Sequence, residues 1–365
     1  METSTEGLFE LNNITATIET ATATPWDSNT TQLYENVTNV IVDMAKDLTF
    51  QQRFRLITYT YILPVMSGFG IVFNLINLVV LNQKQMSGSF YTYLAVIAST
   101  DMGVCLWQFI FSTITRHQNT HAARVYDAFI LAPFTNFCID ASIWITCMMA
   151  VERLISVARP LAAKSILSKA RTHIGICAVL IYDALANVPR FFIYRPAYDE
   201  SESRHYTKPT DFARTNIYNV INWYYTVTIN FIPLTVQIVC NIAIIAFVRA
   251  AGTRRNRMSM TAGASDKARR NEEHKMTITL IGILCFSIIC TLPSAFSDIQ
   301  VAYFIFAEDG VSIGAFQISP FYRMLADVSN IFVGLNFLLN TMIYLIFHEK
   351  FRTTLFLLAT RCCRG

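Results

Sequence analysis

Charge is scarce in this chain. Lys, Arg, Asp and Glu make up 15% of its 365 residues, while 53% are hydrophobic. A soluble chain carries about 25% charged residues, so a fully water-exposed surface is excluded and a lipid-facing one is implied. The two signs nearly balance at a net +4, which does not make nucleic acid an expected partner. Nine cysteines are present without metal-type spacing. Seven of them (Cys105, Cys138, Cys147, Cys177, Cys240, Cys285 and Cys290) lie in apolar runs, where Cys is a small packing residue, and no disulfide framework is visible. Neither Gly-x-Ser-x-Gly nor His-Glu-x-x-His occurs, so an enzyme is not expected. No internal repeat is apparent, which weakens a transporter built from inverted halves.

What the chain has is seven apolar runs, at roughly 56–82, 91–115, 129–155, 173–193, 218–248, 276–306 and 324–347. Each is long enough as a helix to cross a hydrocarbon core of about 30 Å. In lipid the backbone must satisfy its own hydrogen bonds, so the runs are predicted to be helices. Pro64, Pro189, Pro233 and Pro293 fall inside them and predict kinks. Residues 1–54 are polar, Thr-rich and acidic, and read as a flexible tail with neither a cleavable leader nor a folded domain. Three sequons, at Asn13, Asn29 and Asn36, favour glycosylation and an exoplasmic N-terminus. With that orientation, 18 of the 29 Lys and Arg residues fall on inner loops and the C-terminal tail. The positive-inside rule therefore agrees with the sequons. Two connections are longer: a polar outer segment over 194–217 and an Arg- and Ser-rich inner segment over 249–275, read as flexible.

Polar groups inside such runs mark function or contacts between helices. Asp101 stands near mid-membrane in the second run, Ser142 in the third, and Asn336 and Asn340 one helical turn apart in the seventh. Two readings stand: a protonated or amide-paired carboxyl, or an oxygen-rich site for a hard monovalent cation. Asp140 and Asp183 are likewise open between a structural hydrogen bond and a ligand cavity. The third run closes on Glu152-Arg153, which reads as a snorkelling flank or as half of an interhelical ion pair with Glu273. At the outer ends stand Trp107, Arg116, Arg190, Phe191, Phe192, Trp223, Tyr224, Tyr225, Asp298, Tyr322, Arg323 and Asp327, which form either an interfacial belt or a ligand mouth. After the seventh run, 347–358 read as an amphipathic inner-surface helix. Cys362 and Cys363 follow as S-palmitoylation candidates.

These residues carry a pattern. Over roughly 56–363 the chain resembles the rhodopsin-like (class A) G-protein-coupled receptors: Asn74; Leu94 through Asp101; Glu152-Arg153-Leu154 with Pro160; Pro233; Cys290-Thr-Leu-Pro293; Asn340-Thr-Met-Ile-Tyr344; and Phe351-Arg352. A narrower resemblance is to invertebrate FMRFamide-type neuropeptide receptors. It rests on Asn187-Val-Pro-Arg-Phe-Phe192, on Lys84-Gln-Met86 with Thr92-Tyr-Leu94, and on Pro209-Thr210 leading to Asn216, Tyr218, Trp223-Tyr224, Pro233 and Asn241.

The resemblance implies an all-α membrane protein: a seven-transmembrane helix bundle over 55–348, an extracellular tail over 1–54, and a short amphipathic eighth helix with the cytoplasmic C-terminus over 349–365. It implies a plasma-membrane receptor in which an extracellular ligand, here an amidated peptide, biases a helix-bundle equilibrium read by a heterotrimeric G protein. Asp101, Ser142, Asn336 and Asn340 match the family's allosteric sodium cluster, and no other cofactor is implied. Arg153 matches the arginine that inserts toward the G protein, Glu273 its inactive-state partner, Tyr344 a tyrosine that swings inward, and Leu161 a residue packing on the G protein. A peptide arginine would pair with Asp298 or Asp327, beside Trp223, Tyr224, Tyr225, Thr135 and Arg190. The sequence also departs from the pattern. Ala128 replaces the cysteine at the top of the third helix and 194–217 contain no cysteine, so the family's outer disulfide cannot form. Thr291 replaces a Trp, Leu154 a Tyr, and Thr341 a Pro. Thr135 replaces the Asp of amine receptors, which argues against a monoamine. The rival readings are a chemosensory receptor for small molecules and a seven-helix transporter or ion pathway.

Overall fold

The computed structural model describes residues 49–159, 163, 167–201, 203–258 and 264–362, and the side chains of 251–274 and 361–362 are outside that description. Seven helices are long and apolar enough to span a membrane: α1 (Phe50–Leu81), α2 (Ser89–His117), α3 (His121–Ala158), α4 (Lys169–Phe192), α5 (Asn216–Ala250), α6 (Lys275–Ser297) and α7 (Pro320–Phe347). A further helix, α8 (Glu349–Cys362), turns off the end of α7. The start of α1 defines the N-face of the bundle and α8 the C-face.

The helices are apolar outside and polar inside. On α1, Val65, Val72, Leu75 and Val79 are at least half exposed, whereas Ser67, Gly70, Asn74 and Asn77 are buried at helical spacing. This inverts the soluble pattern because lipid accepts the apolar face at no cost and only protein can satisfy the polar one. Packing rather than dehydration then holds the bundle together. Gly70 shows the tightness: a Cβ there would fall on Cys105 Sγ of α2. The largest buried cluster lies toward the C-face and draws Val80, Leu94, Met149, Ile244, Leu284, Tyr344 and Phe351 from α1, α2, α3, α5, α6, α7 and α8.

Three prolines share one accommodation. Pro64, Pro133 and Pro233 each stand two residues after a π-helical turn, over Thr58–Ile62, Asp127–Leu131 and Thr226–Phe231. A proline ring clashes with the carbonyl four residues back. In each case that carbonyl belongs to the widened turn, which opens the ladder locally. Pro133 had not stood out in sequence, whereas Pro293 sits within a continuous α-helix and Pro189 in a 3₁₀ segment ending α4.

Several boundaries differ from the sequence reading. α1 begins at Phe50, inside the segment read as tail, because Thr49 and Gln52 form a reciprocal cap. The sixth run breaks at Asp298, whose carboxylate accepts from the Gln300 N–H and starts a separate helix, Ile299–Phe306. In the segment read as a flexible inner loop, helical backbone runs to Met258 and resumes at Ala264, consistent with its Ala, Arg, Lys and Glu content. The outer segment is not irregular: β1 (Tyr194–Asp199) and β2 (Arg204–Pro209) form an antiparallel hairpin, with Tyr194 opposite Pro209 and Asp199 opposite Arg204.

The hairpin is anchored by side-chain hydrogen bonds. Asn119, between α2 and α3, donates to the Ser203 carbonyl at 3.1 Å and accepts from the His205 N–H at 2.7 Å. Its own junction is tied by Arg124, which pairs with Asp127 at 2.7 Å and donates to the Thr115 carbonyl at 2.7 Å. Each lost hydrogen bond weakens such an anchor by about 0.5–1.5 kcal/mol. Asn119→Ala is therefore expected to speed amide exchange over 194–209 by about 5- to 150-fold, with helical content unchanged. Hydrogen-exchange mass spectrometry checks this, and unchanged exchange would refute the anchor.

Candidate functional site

Asp101 is fully buried on α2. Ser142 of α3 donates to Oδ1 at 2.6 Å and Asn340 of α7 donates to Oδ2 at 2.7 Å. Asn74 of α1 adds a second tie to α7, donating to the Phe337 carbonyl at 2.9 Å. Three helices thus meet at one carboxylate, and α1 is tied to the third of them. Asn336, one turn from Asn340, is buried beside them. Each Asp101 oxygen accepts one protein hydrogen bond and keeps a lone pair, and Ser142, Asn336 and Asn340 each carry a side-chain oxygen. The residues therefore fit a hard monovalent cation such as sodium.

Toward the C-face, Glu152 and Arg153 point to different neighbours, as expected for successive helix positions about 100° apart. Glu152 accepts from Thr172 of α4 at 3.4 Å and bonds the Tyr93 hydroxyl of α2. The Arg153 guanidinium lies over the Phe90 ring at 4.6 Å and reaches Met276 Sδ of α6 at 3.7 Å. Arg153 thus touches α6 one residue from Lys275, which donates in turn to Glu349 of α8. Tyr344, fully buried, packs on Phe351 with ring centroids 5.5 Å apart. Arg352 caps α7 through the carbonyls of Leu345 and Ile346. Leu161, Cys363, Asn13, Asn29 and Asn36 lie outside the described residues, as do the side chains of Glu273 and Cys362.

Toward the N-face, Asp298 accepts from Thr226 at 2.9 Å and Asn230 at 3.3 Å, both on α5. Asn230 also lines a cavity of about 130 Å³, with Ile139, Gln237, Thr291, Ser294, Asn330 and Asn336 among its walls. Asn230, which bonds Asp298, and Asn336, one turn from Asn340, thus line the same cavity. Of the three adjacent aromatics, only Tyr225 faces inward. It is buried, donates to the Ala186 carbonyl at 2.6 Å and lies under the Arg190 guanidinium at 4.2 Å. Trp223 and Tyr224 are 44% and 40% exposed on the outer flank of α5, where Tyr224 bonds Tyr182. Thr135 Oγ1 is buried without a hydrogen-bond partner. Asn187 donates to the Asp140 carboxylate at 3.0 Å and to the Asp183 backbone carbonyl at 2.9 Å, while Asp183 Oδ2 is buried without a hydrogen-bond partner. Asp327 is not at the mouth of the cavity: it is buried at the ends of α1, α2 and α7, beside Tyr59.

The sequence reading did not single out Thr226, Asn230, Gln237 or Asn119. Thr226 and Asn230 stand four apart in an apolar run, so the rule applied to Asn336 and Asn340 would have found them. Asn119 lies in a loop and carries no such signal.

Removing either donor strands a buried carboxylate oxygen, at a cost of about 1–3 kcal/mol. Ser142→Ala and Asn340→Ala are each expected to lower thermal stability in detergent. In a double-mutant cycle their effects should be non-additive, because they share one acceptor. Strict additivity would refute the shared role. At the C-face, hydrogen bonding and attraction from Lys275 hold the exposed Glu349 carboxyl below its ordinary range. The clasp is thus complete at neutral pH and is lost as pH falls through that lowered value. Lys275→Gln is expected to return Glu349 upward, as read by carboxyl carbon-13 NMR titration, and an unmoved titration would exclude the clasp.

Comparison with known proteins agrees with this geometry. The family described as 7 transmembrane receptor (rhodopsin family) matches residues 74–344. The FMRFamide receptor of Drosophila melanogaster is 23% identical over 331 residues, covering 87% of this chain and 56% of that protein. An FMRFamide peptide receptor of Caenorhabditis elegans is 26% identical over 263 residues, covering 70% and 57%. The human growth hormone secretagogue receptor type 1 is 24% identical over 224 residues, covering 60% and 57%. The chain spans a little over half the length of these curated relatives. With a matched segment that runs from Asn74 in α1 to Tyr344 in α7, the chain belongs to the rhodopsin family of seven-transmembrane receptors.

Proposed function

We propose that this chain is a plasma-membrane receptor with its N-face outside, activated by an extracellular peptide and signalling to a heterotrimeric G protein at its C-face. The observation that carries the reading is a run of polar side chains: Asp298 bonds Asn230, Asn230 and Asn336 line one cavity, and Asn340, one turn from Asn336, bonds Asp101. A ligand that repositions α5 or α6 at the mouth acts on the same packed unit that ties α2, α3 and α7. The cavity, at about 130 Å³, is smaller than the roughly 300 Å³ at the lower end of drug-sized pockets. That size suits one inserted side chain with the rest of the ligand outside, which favours a peptide over a wholly enclosed small molecule. Two of the similar proteins are named as FMRFamide receptors, in line with an amidated peptide.

In this reading Asp298 receives a peptide arginine. Its partners Thr226 and Asn230 are neutral, so its charge is held without being cancelled. Asp327 is the weaker choice, because arginines of the chain already surround it. Thr135, Arg190 and Tyr225 would shape the pocket wall, and Trp223 and Tyr224 would meet the ligand only from the flank. At the C-face, Arg153 would leave Phe90 and Met276 to engage the G protein with Leu161, while Tyr344 repacks and Glu273 holds the off state. The oxygens of Asp101, Ser142, Asn336 and Asn340 would hold a sodium ion, which supplies the positive charge that Asp101 otherwise lacks. Glycans at Asn13, Asn29 and Asn36, and acyl chains on Cys362 and Cys363, fit the same orientation.

The test uses cells expressing the full chain, a panel of amidated peptides and G-protein sensors. A charge-assisted hydrogen bond contributes about 1.5–3 kcal/mol, so Asp298→Asn is expected to weaken an active Arg-Phe-amide peptide by about 10- to 150-fold. Arg153→Ala should abolish the G-protein response while surface expression and peptide binding persist. Unchanged potency would remove Asp298 as the docking group. Full signalling from the Arg153 variant would overturn the switch, and silence to every peptide would overturn the peptide reading.

A further inference from the structure

A second charged site stands on the N-face, away from Asp298. Tyr59 of α1 is flanked by two guanidinium groups, Arg55 at 5.7 Å and Arg116 of α2 at 5.2 Å from its ring centre. Arg323 of α7 stands one helical turn before Asp327, whose carboxylate lies beside Tyr59 and within the electrostatic reach of Arg55, Arg116 and Arg323. Tyr59 is held in turn by Asn330, which donates to its hydroxyl at 2.8 Å. Three cations thus surround one anion.

The balance is incomplete in a specific way. None of the three arginines forms an ion pair among the described residues. Arg116 keeps a buried guanidinium nitrogen without a hydrogen-bond partner, and Asp327, only 2% exposed, keeps Oδ2 without one. The arginines and Tyr59 are half-buried, neither solvated like surface residues nor neutralised like core ones. Guanidinium groups in that condition are poised for a carboxylate or phosphate, which they bind through paired N–H donors. The aromatic face of Tyr59 orients them before anything arrives.

We propose that Arg55 and Arg116, over the Tyr59 ring, and Arg323, one turn from Asp327, form at the N-face ends of α1, α2 and α7 an anion subsite for a carboxylate of the ligand. This rests on the peptide-receptor reading and extends it. The ligand is an amidated peptide with an acidic residue as well as a basic one, the acid docking at α1, α2 and α7 and the base at Asp298 between α5 and α6. Asp327 is the buried counter-charge that keeps the three arginines together when no ligand is bound.

The experiment is independent of signalling. Purified full-length protein in detergent is heated with millimolar N-acetylaspartate, with neutral N-acetylasparagine, or with inorganic phosphate, which stands in for a lipid headgroup. The expected result is a rise in melting temperature with N-acetylaspartate, a smaller one with phosphate and none with N-acetylasparagine. Arg116→Gln/Arg323→Gln should lose the response, and Arg323→Gln alone should weaken it at least threefold in half-saturating concentration. The single variant keeps the test decisive if the double one does not fold. Equal effects of N-acetylaspartate and N-acetylasparagine, a stronger effect of phosphate, or an undiminished response in Arg323→Gln would each overturn the subsite. The peptide-receptor reading would stand or fall separately, on the cell-based peptide panel.

Discussion

A carboxylate at the centre of a lipid-immersed bundle has no water to turn to, and the arrangement around Asp101 follows from that constraint. Its two oxygens are met by donors from two other helices, Ser142 on α3 and Asn340 on α7. Asn74 secures α7 from the opposite side through the Phe337 carbonyl. None of these helices can rotate without stranding a buried polar group, at a cost of about 1–3 kcal/mol each time. A core of this kind favours a few discrete arrangements over continuous deformation, which is the property a switch requires.

Above and below that core the helices are less constrained. On the C-face, α6 buries Leu280 and Leu284 in the largest apolar cluster, and its end adds contacts that exchange readily: Arg153 on a methionine sulfur, and an exposed ion pair from Lys275 to Glu349. On the N-face, π-turns before Pro64, Pro133 and Pro233 shift the helix ends relative to their shafts. The deepest polar ties are therefore central, and the contacts that exchange readily lie at the helix ends. A receptor with this distribution can take in binding energy at one end and alter contacts at the other while its centre moves between settings.

The seven spans were legible because lipid imposes a simple rule on length and polarity, and Asp101, Ser142 and Asn340 because polar residues stand out in apolar runs. Other features depended on phase and partners that no run displays. Trp223, Tyr224 and Tyr225 look equivalent in sequence, yet successive residues on α5 point about 100° apart, and only Tyr225 turns inward. Asp298 and Asp327 look like a matched pair of outer acids, but one caps a helix among neutral donors and the other is buried among arginines. The hairpin over 194–209 was hidden because its strands are polar and half-exposed, without the alternation that marks a buried sheet face.

That hairpin has one further consequence. In this family the resemblance leads one to expect a covalent tether from the top of α3, but here Ala128 is buried in that place and the hairpin has no cysteine. Among the described residues the hairpin is held by noncovalent contacts, including Asn119, the Thr210 hydroxyl on the Phe192 carbonyl and the packing of His205 on His121. Its docking is therefore an equilibrium set by noncovalent contacts, with no thiol of the hairpin for a reductant or oxidant to act on. Reducing conditions that unlock a disulfide-tethered relative would leave this entrance as it was.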